Sequence, residues 1–103
     1  MIPQIENHRR SIEGLCRRFG VRRLDLFGSA VAGSGFDPIR SDVDFMVEFT
    51  DPRPEGAADR YFGLQEELQK ILGLPVDLVM RSAVKNPYFQ RAVARQQLNL
   101  YAA

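Results

Sequence analysis

The sequence predicts an α/β fold of the α+β type, a small mixed β-sheet with helices packed on it. Three observations predict it. Apolar residues recur at helical spacing in residues 3–19 and again in 57–72. Residues 42–49 place an apolar residue at every second position, with Met46 the one apolar residue on the other face, the period of a strand. A short apolar run, Val76-Asp77-Leu78-Val79-Met80, follows the second helical segment, as a parallel crossover requires.

Taken in order, the first helix carries Ile5, Ile12, Leu15, Cys16 and Phe19 on one face, and Gly20 supplies its stop. Arg23-Leu24-Asp25-Leu26-Phe27 reads as a strand bounded by Gly28. The next strand places Val43, Phe45, Val47 and Phe49 on one face and Asp42, Asp44, Met46 and Glu48 on the other. The short link between these strands allows an antiparallel pair. Ala58, Tyr61, Phe62, Leu64, Leu68, Ile71 and Leu72 form the stripe of the second helix, which Gly73 and Pro75 end. Asn86-Pro87 opens a third helix as N-cap and first-turn proline, and residues 97–101 fit a short edge strand.

The chain has 103 residues, near the commonest size of one domain, so residues 1–103 are expected to form a single unit. A 45% hydrophobic and 26% charged composition is that of a globular chain. No apolar run is long enough to span a bilayer. Met1-Ile2-Pro3-Gln4 leads into polar sequence rather than a signal peptide, and the lone Cys16 suits a reducing compartment, so a cytoplasmic setting is expected. Cys16 is expected as a packed thiol and His8 as a half-exposed helix residue without catalytic work. The net charge of +1 conceals a basic start, an acidic middle over residues 37–67 and a basic end. Residues 1–23 hold six arginines, but no aromatic platform or reader motif is interleaved with them, so direct nucleic-acid binding is not expected.

Asp42-Val43-Asp44 is the chemical centre. A strand points both carboxylates the same way, about 6.5–7 Å apart at Cα. Two anions side by side repel unless a cation or protons relieve them. Hard oxygen donors on a rigid strand suit Mg²⁺, with Mn²⁺ as the alternative. The plain reading is a polar strand start with both acids in water. Phe27-Gly28-Ser29 shifts the balance, since a glycine lets the backbone approach a phosphate and the serine adds a hydroxyl donor. Asp77 adds a third carboxylate inside an otherwise apolar strand, where burial would be costly and an edge position would leave it solvated.

Leu26-Phe27-Gly28-Ser29-Ala30, Ser41-Asp42-Val43-Asp44-Phe45-Met46-Val47 and Val76-Asp77-Leu78-Val79 together resemble the minimal nucleotidyltransferases of the DNA polymerase β superfamily. The resemblance spans about residues 10–100. It implies that Gly28 and Ser29 hold a nucleoside triphosphate, with ATP as the expected substrate. It implies that Asp42, Asp44 and Asp77 bind the metal, Asp77 also helping to take the proton from the attacking hydroxyl. Two departures stand out. Positions 30–41 make the link to Asp42 two residues longer than in the family, with Gly35-Phe36-Asp37-Pro38 as a small insertion. The family's arginine before the following glycine is Ala32 here, which implies either weaker nucleotide binding or a role for Arg40 in its place.

The resemblance further implies an antitoxin-type protein that transfers AMP to a small helical HEPN partner. A second reading stays open: a binding module of weak or lost activity that neutralises such a partner by complex formation. With no second domain evident to bind an acceptor, acceptor choice is expected to depend on a partner or on a homodimer. Intact acids at 42, 44 and 77 favour the enzyme; the missing arginine at 32 favours the binder. Tyr61, Phe62, Tyr88 and Phe89 are candidate contact surface, with core packing expected for at least half of them.

Overall fold

The computed structural model describes residues 1–32, 37 and 42–103. Four strands form one sheet: β1 (Val21–Phe27), β2 (Val43–Phe49), β3 (Val76–Met80) and β4 (Gln97–Ala102). The spatial order is β3-β2-β1-β4. β1 pairs antiparallel with β2 and with β4, and β2 pairs parallel with β3. The helices are α1 (Pro3–Asn7), α2 (Arg9–Arg18), α3 (Ser29–Ala32), α4 (Ala57–Leu72) and α5 (Pro87–Arg95), with a 3₁₀ turn at Arg81–Ala83. The parallel crossover through α4 and the mixed sheet are as expected. The insertion at 35–38 and Arg40 lie outside the described residues, Asp37 excepted.

The alternation of β2 decides which side of the sheet is the main core. Val43, Phe45 and Val47 are fully buried, together with Leu24 and Leu26 of β1 and Leu78 of β3. α2 and α4 cover this face with Ile12, Leu15, Cys16, Leu64 and Leu68. Burying side chains of this size contributes about 1.5–3 kcal/mol each before the entropy of ordering is counted. α4 ends as expected at Gly73, whose φ of 66° is left-handed and whose amide donates to the Gln69 carbonyl at 2.9 Å. Asn86 caps α5, its Oδ1 accepting from the Tyr88 and Phe89 amides at 2.9 and 3.4 Å.

Three details differ from the sequence expectation. The helix expected over 3–19 is two helices, because His8 leaves the helical region (φ −116°, ψ 16°). Its Nδ1 lies 2.8 Å from the Gln4 carbonyl oxygen, which helps hold the break. β1 begins two residues earlier, because Val21 is buried opposite Phe49. Met46, on the polar face of β2, is nonetheless buried: α5 lies over it, and Phe27, Met46 and Val93 make a second small cluster there. No helix among the described residues is long and apolar enough to cross a membrane.

Candidate nucleotide and metal site

The register across three strands assembles the site. Phe27 of β1 is the partner of Asp44, and Asp44 is the partner of Asp77 on β3. Directly paired residues point to the same face, and neighbouring strands lie about 4.8 Å apart. Asp44 and Asp77 therefore stand side by side on the face opposite the main core, with Asp42 just before the start of β2. Asp44 is half-buried, whereas Asp42 and Asp77 are exposed. β3 is an edge strand, so Asp77 is solvated and incurs no cost of a buried charge. Burial first, then the charges of Asp77 and Asp42, push the Asp44 carboxyl up from 3.8 to about 6.

Gly28 is fixed by this same carboxylate. Its φ of 76° is left-handed, and a Cβ there would sit 2.6 Å from Asp44 Oδ2. An alanine would be strained and would also displace the carboxylate. The Gly28 carbonyl accepts from the Val31 amide at 3.2 Å, which turns the chain into α3 and leaves Ser29 half-buried beside the acids. The Ala30 carbonyl in turn accepts from the Ile2 amide at 3.0 Å, so the buried N-terminal Ile2 holds the turn in place.

The donor set fits a hard divalent cation. Three carboxylates share one sheet face, and their mutual repulsion is what a cation would relieve. Among the described residues no three acidic, histidine or cysteine side chains converge as a ready-made cage. Mg²⁺ needs none, since it is held through one or two carboxylates, waters and substrate phosphate oxygens. The structure thus brings Gly28, Ser29, Asp42, Asp44 and Asp77 to one end of the sheet.

The other candidates fall away from this site. Cys16 is fully buried and its thiol is pushed up to about 12, chiefly by burial. Of the four aromatics, Tyr61 packs against the main core and its hydroxyl donates to the Leu78 carbonyl at 2.5 Å. Phe62 of α4 and Tyr88 and Phe89 of α5 are exposed, more than expected; α5 buries Val93 instead, and Phe89 keeps only an edge-on contact with Phe27 at 6.2 Å.

One feature on this face has no counterpart in the sequence reading. Asp25 is fully buried two residues before Phe27 on β1. Arg23 Nε lies 2.9 Å from its Oδ2, and Arg81 pairs with the same oxygen. Gln97 donates to Oδ2 at 3.1 Å and Asn99 to Oδ1 at 2.9 Å. An acid between two leucines looks like an ordinary outward strand position. Beside Arg23 of its own strand, its partners come from β4 and from the turn after β3, and α5 helps enclose the face.

A mixed four-stranded sheet that carries a Gly-Ser turn beside paired carboxylates defines a nucleotidyltransferase. The model of the nucleotidyltransferase domain family matches residues 8–96, and the chain belongs to that family. The chain is 42% identical over 72 residues to protein adenylyltransferase MntA of Thermococcus cleftensis, covering 70% of this chain and 68% of that one. A solved structure described as a minimal nucleotidyltransferase superposes with a TM-score of 0.74 at 28% identity, covering 91% of this chain and 90% of that one. An antitoxin complex with a tri-AMPylated HEPN toxin of Shewanella oneidensis shows the same fold, with a TM-score of 0.65 at 22% identity over 95% of this chain and 72% of that one.

Proposed function

We propose that this nucleotidyltransferase moves AMP from ATP to a hydroxyl of a partner protein, and that the partner is a small helical HEPN-type protein in the cytoplasm. The observation that carries the chemistry is the Asp44–Asp77 register with Gly28 closed against Asp44. Protein adenylylation and a HEPN partner are supported by the names of the relatives. Gly28 and Ser29 hold the triphosphate, with Arg40 as the cation beside it in place of residue 32. Asp42, Asp44 and Asp77 hold Mg²⁺ or Mn²⁺, which when bound neutralises phosphate charge and acidifies the acceptor hydroxyl. The acceptor oxygen bonds to the α-phosphorus as the bond to the bridging oxygen breaks and pyrophosphate leaves. Asp77 takes the released proton. Little of the chain remains to enclose a small acceptor, whereas a protein brings its own surface to the site.

A second reading rests on Ala32: without an arginine there, the chain binds its partner and transfers AMP weakly or not at all. The occupancy of the site is tested by thermal unfolding. Mg²⁺ with ATP raises the melting temperature of the wild type through preferential binding to the folded state. Asp42→Asn loses most of that rise. An equal rise in both proteins removes Asp42 from the site.

A further inference from the structure

Few groups hold α5 to the sheet. Of its nine residues only Val93 is buried, and Phe89 keeps one edge-on contact with Phe27. A helix of this length has no independent stability in water, so packing must supply it. The sheet supplies part of that packing and leaves the rest of the helix bare. Tyr88 is 76% exposed and Phe89 41%. Tyr88, Arg91, Ala92 and Arg95 stand at positions i, i+3, i+4 and i+7, which makes one continuous outward face, and all four are exposed. Phe89 borders this face on the side of the carboxylates, because it packs against Phe27, the cross-strand partner of Asp44.

The charge of this face has one sign. Residues 78–103 contain no acid; Lys85 precedes the cap of α5, and Arg91 and Arg95 lie on the face itself. Among the described residues none of these three cations has an acidic partner, whereas Arg81 is committed to Asp25. Acids of the chain itself are in part already taken: Asp51 pairs with Arg53, and Glu66 and Glu67 share Lys70. Two copies of the α5 face would repel each other. Exposed aromatic rings beside arginines are what protein interfaces use at their centres. A nucleic-acid strand fits less well. Arg91 lies over the Tyr88 ring at 5.4 Å, which leaves one face of that ring for a base, and three cations neutralise few phosphates.

We propose that the outward face of α5 docks the acceptor protein of the proposed transfer, and that the acceptor meets it with an acidic surface around an apolar spot. The inference rests on the reading of the chain as a protein adenylyltransferase, and goes beyond it by giving the acceptor a place and a chemistry. Tyr88 and Phe89 take the apolar spot; Lys85, Arg91 and Arg95 take the acids around it. An acceptor held there borders the carboxylate row, because Phe89 and Phe27 connect the two.

The test uses the full chain with Mg²⁺, ATP labelled in the α-phosphate and the HEPN-type protein of the proposed function. Label transfer gives KM and kcat, and calorimetry gives the Kd of the complex. Arg91→Glu/Arg95→Glu reverses the charge of the face, and Tyr88→Ala removes its ring. Arg17→Glu/Arg18→Glu makes the same charge change at exposed positions of α2. The expected result is a rise of about ten-fold or more in KM for the partner and in Kd with either α5 variant, the scale of one interface hot spot. The kcat at saturating partner and the melting rise given by Mg²⁺ and ATP stay as in the wild type. Arg17→Glu/Arg18→Glu changes neither KM nor Kd. Added salt weakens the wild-type complex more than that of Arg91→Glu/Arg95→Glu. A Kd unchanged in both α5 variants would overturn the assignment, as would an equal loss in the α2 variant. A melting rise lost with the α5 substitutions would mean that they act on the nucleotide site, and would overturn it too. Self-association of the wild type, or its binding of oligouridylate, abolished by Arg91→Glu/Arg95→Glu while the partner still binds, would give the face to a second copy or to RNA instead. A wild type that binds the partner without labelling it sinks the transfer alone, and the Kd values then decide the docking surface.

Discussion

Asp44 is held in a charge state that costs the fold, and Asp44→Asn tests how much. In the folded chain its carboxyl titrates near 6 rather than 3.8, because of burial and the neighbouring charges of Asp77 and Asp42. A carboxylate raised in this way helps the folded state only while protonated. That help is complete below the ordinary value and is lost as pH rises through about 6. Two units at 1.36 kcal/mol each would be about 3 kcal/mol; solvent screening of this half-buried group reduces that to about 1–2 kcal/mol. In metal-free buffer at pH 8, Asp44→Asn is therefore more stable than the wild type by that amount, a melting shift of about 5–10 °C for a domain of this size. The gap narrows as pH falls from 7 and closes near pH 4, where both side chains are neutral. Adding Mg²⁺ and ATP reverses the order, since the wild type alone gains the full binding energy. Urea unfolding across that pH range is the assay. A variant no more stable than the wild type at pH 8, or a gap that does not change with pH, would refute the electrostatic account.

Two further outcomes follow from buried groups. Asp25→Asn leaves Arg23 and Arg81 without their shared carboxylate and costs about 2–3 kcal/mol, below the fully buried case because both arginines are partly exposed; a loss under about 0.5 kcal/mol in urea titrations would show the cluster to be dispensable. Cys16, buried with its thiol near 12, resists alkylation at pH 8 in the native chain and reacts on unfolding; rapid native labelling, read by intact mass, would contradict its packing.

The parts legible in the sequence are those set by local period and turn chemistry. The alternation from Val43 to Phe49, the Asn86 cap and the Gly73 stop each depend on neighbouring residues, and each appears in the structure where the sequence placed it. The parallel crossover from β2 to β3 was legible because one helix joins them, but the register that pairs Asp44 with Asp77 was not, since no local pattern sets it. The burial of Asp25 was not, since its ion partner Arg81 lies 56 residues away and no local pattern distinguishes it from a solvated strand acid. The packing of Met46 depends on Val93 in the same way. The break at His8 has no signal in the sequence, because the apolar stripe continues on both sides of it, with Ile5 and Ile12 fully buried.

The central claim is transfer of a nucleoside monophosphate to protein, and label transfer tests it most directly. The purified chain is incubated with Mg²⁺, the proposed HEPN-type partner and ATP labelled either in the α-phosphate or in the γ-phosphate. The account predicts label on the partner from α-labelled ATP alone, with pyrophosphate released, and its loss in Asp44→Asn and Asp77→Asn. Label from γ-labelled ATP would make the chain a kinase. A stable complex that carries no label with Mg²⁺, or with Mn²⁺ in its place, would contradict the transferase and leave the binding module.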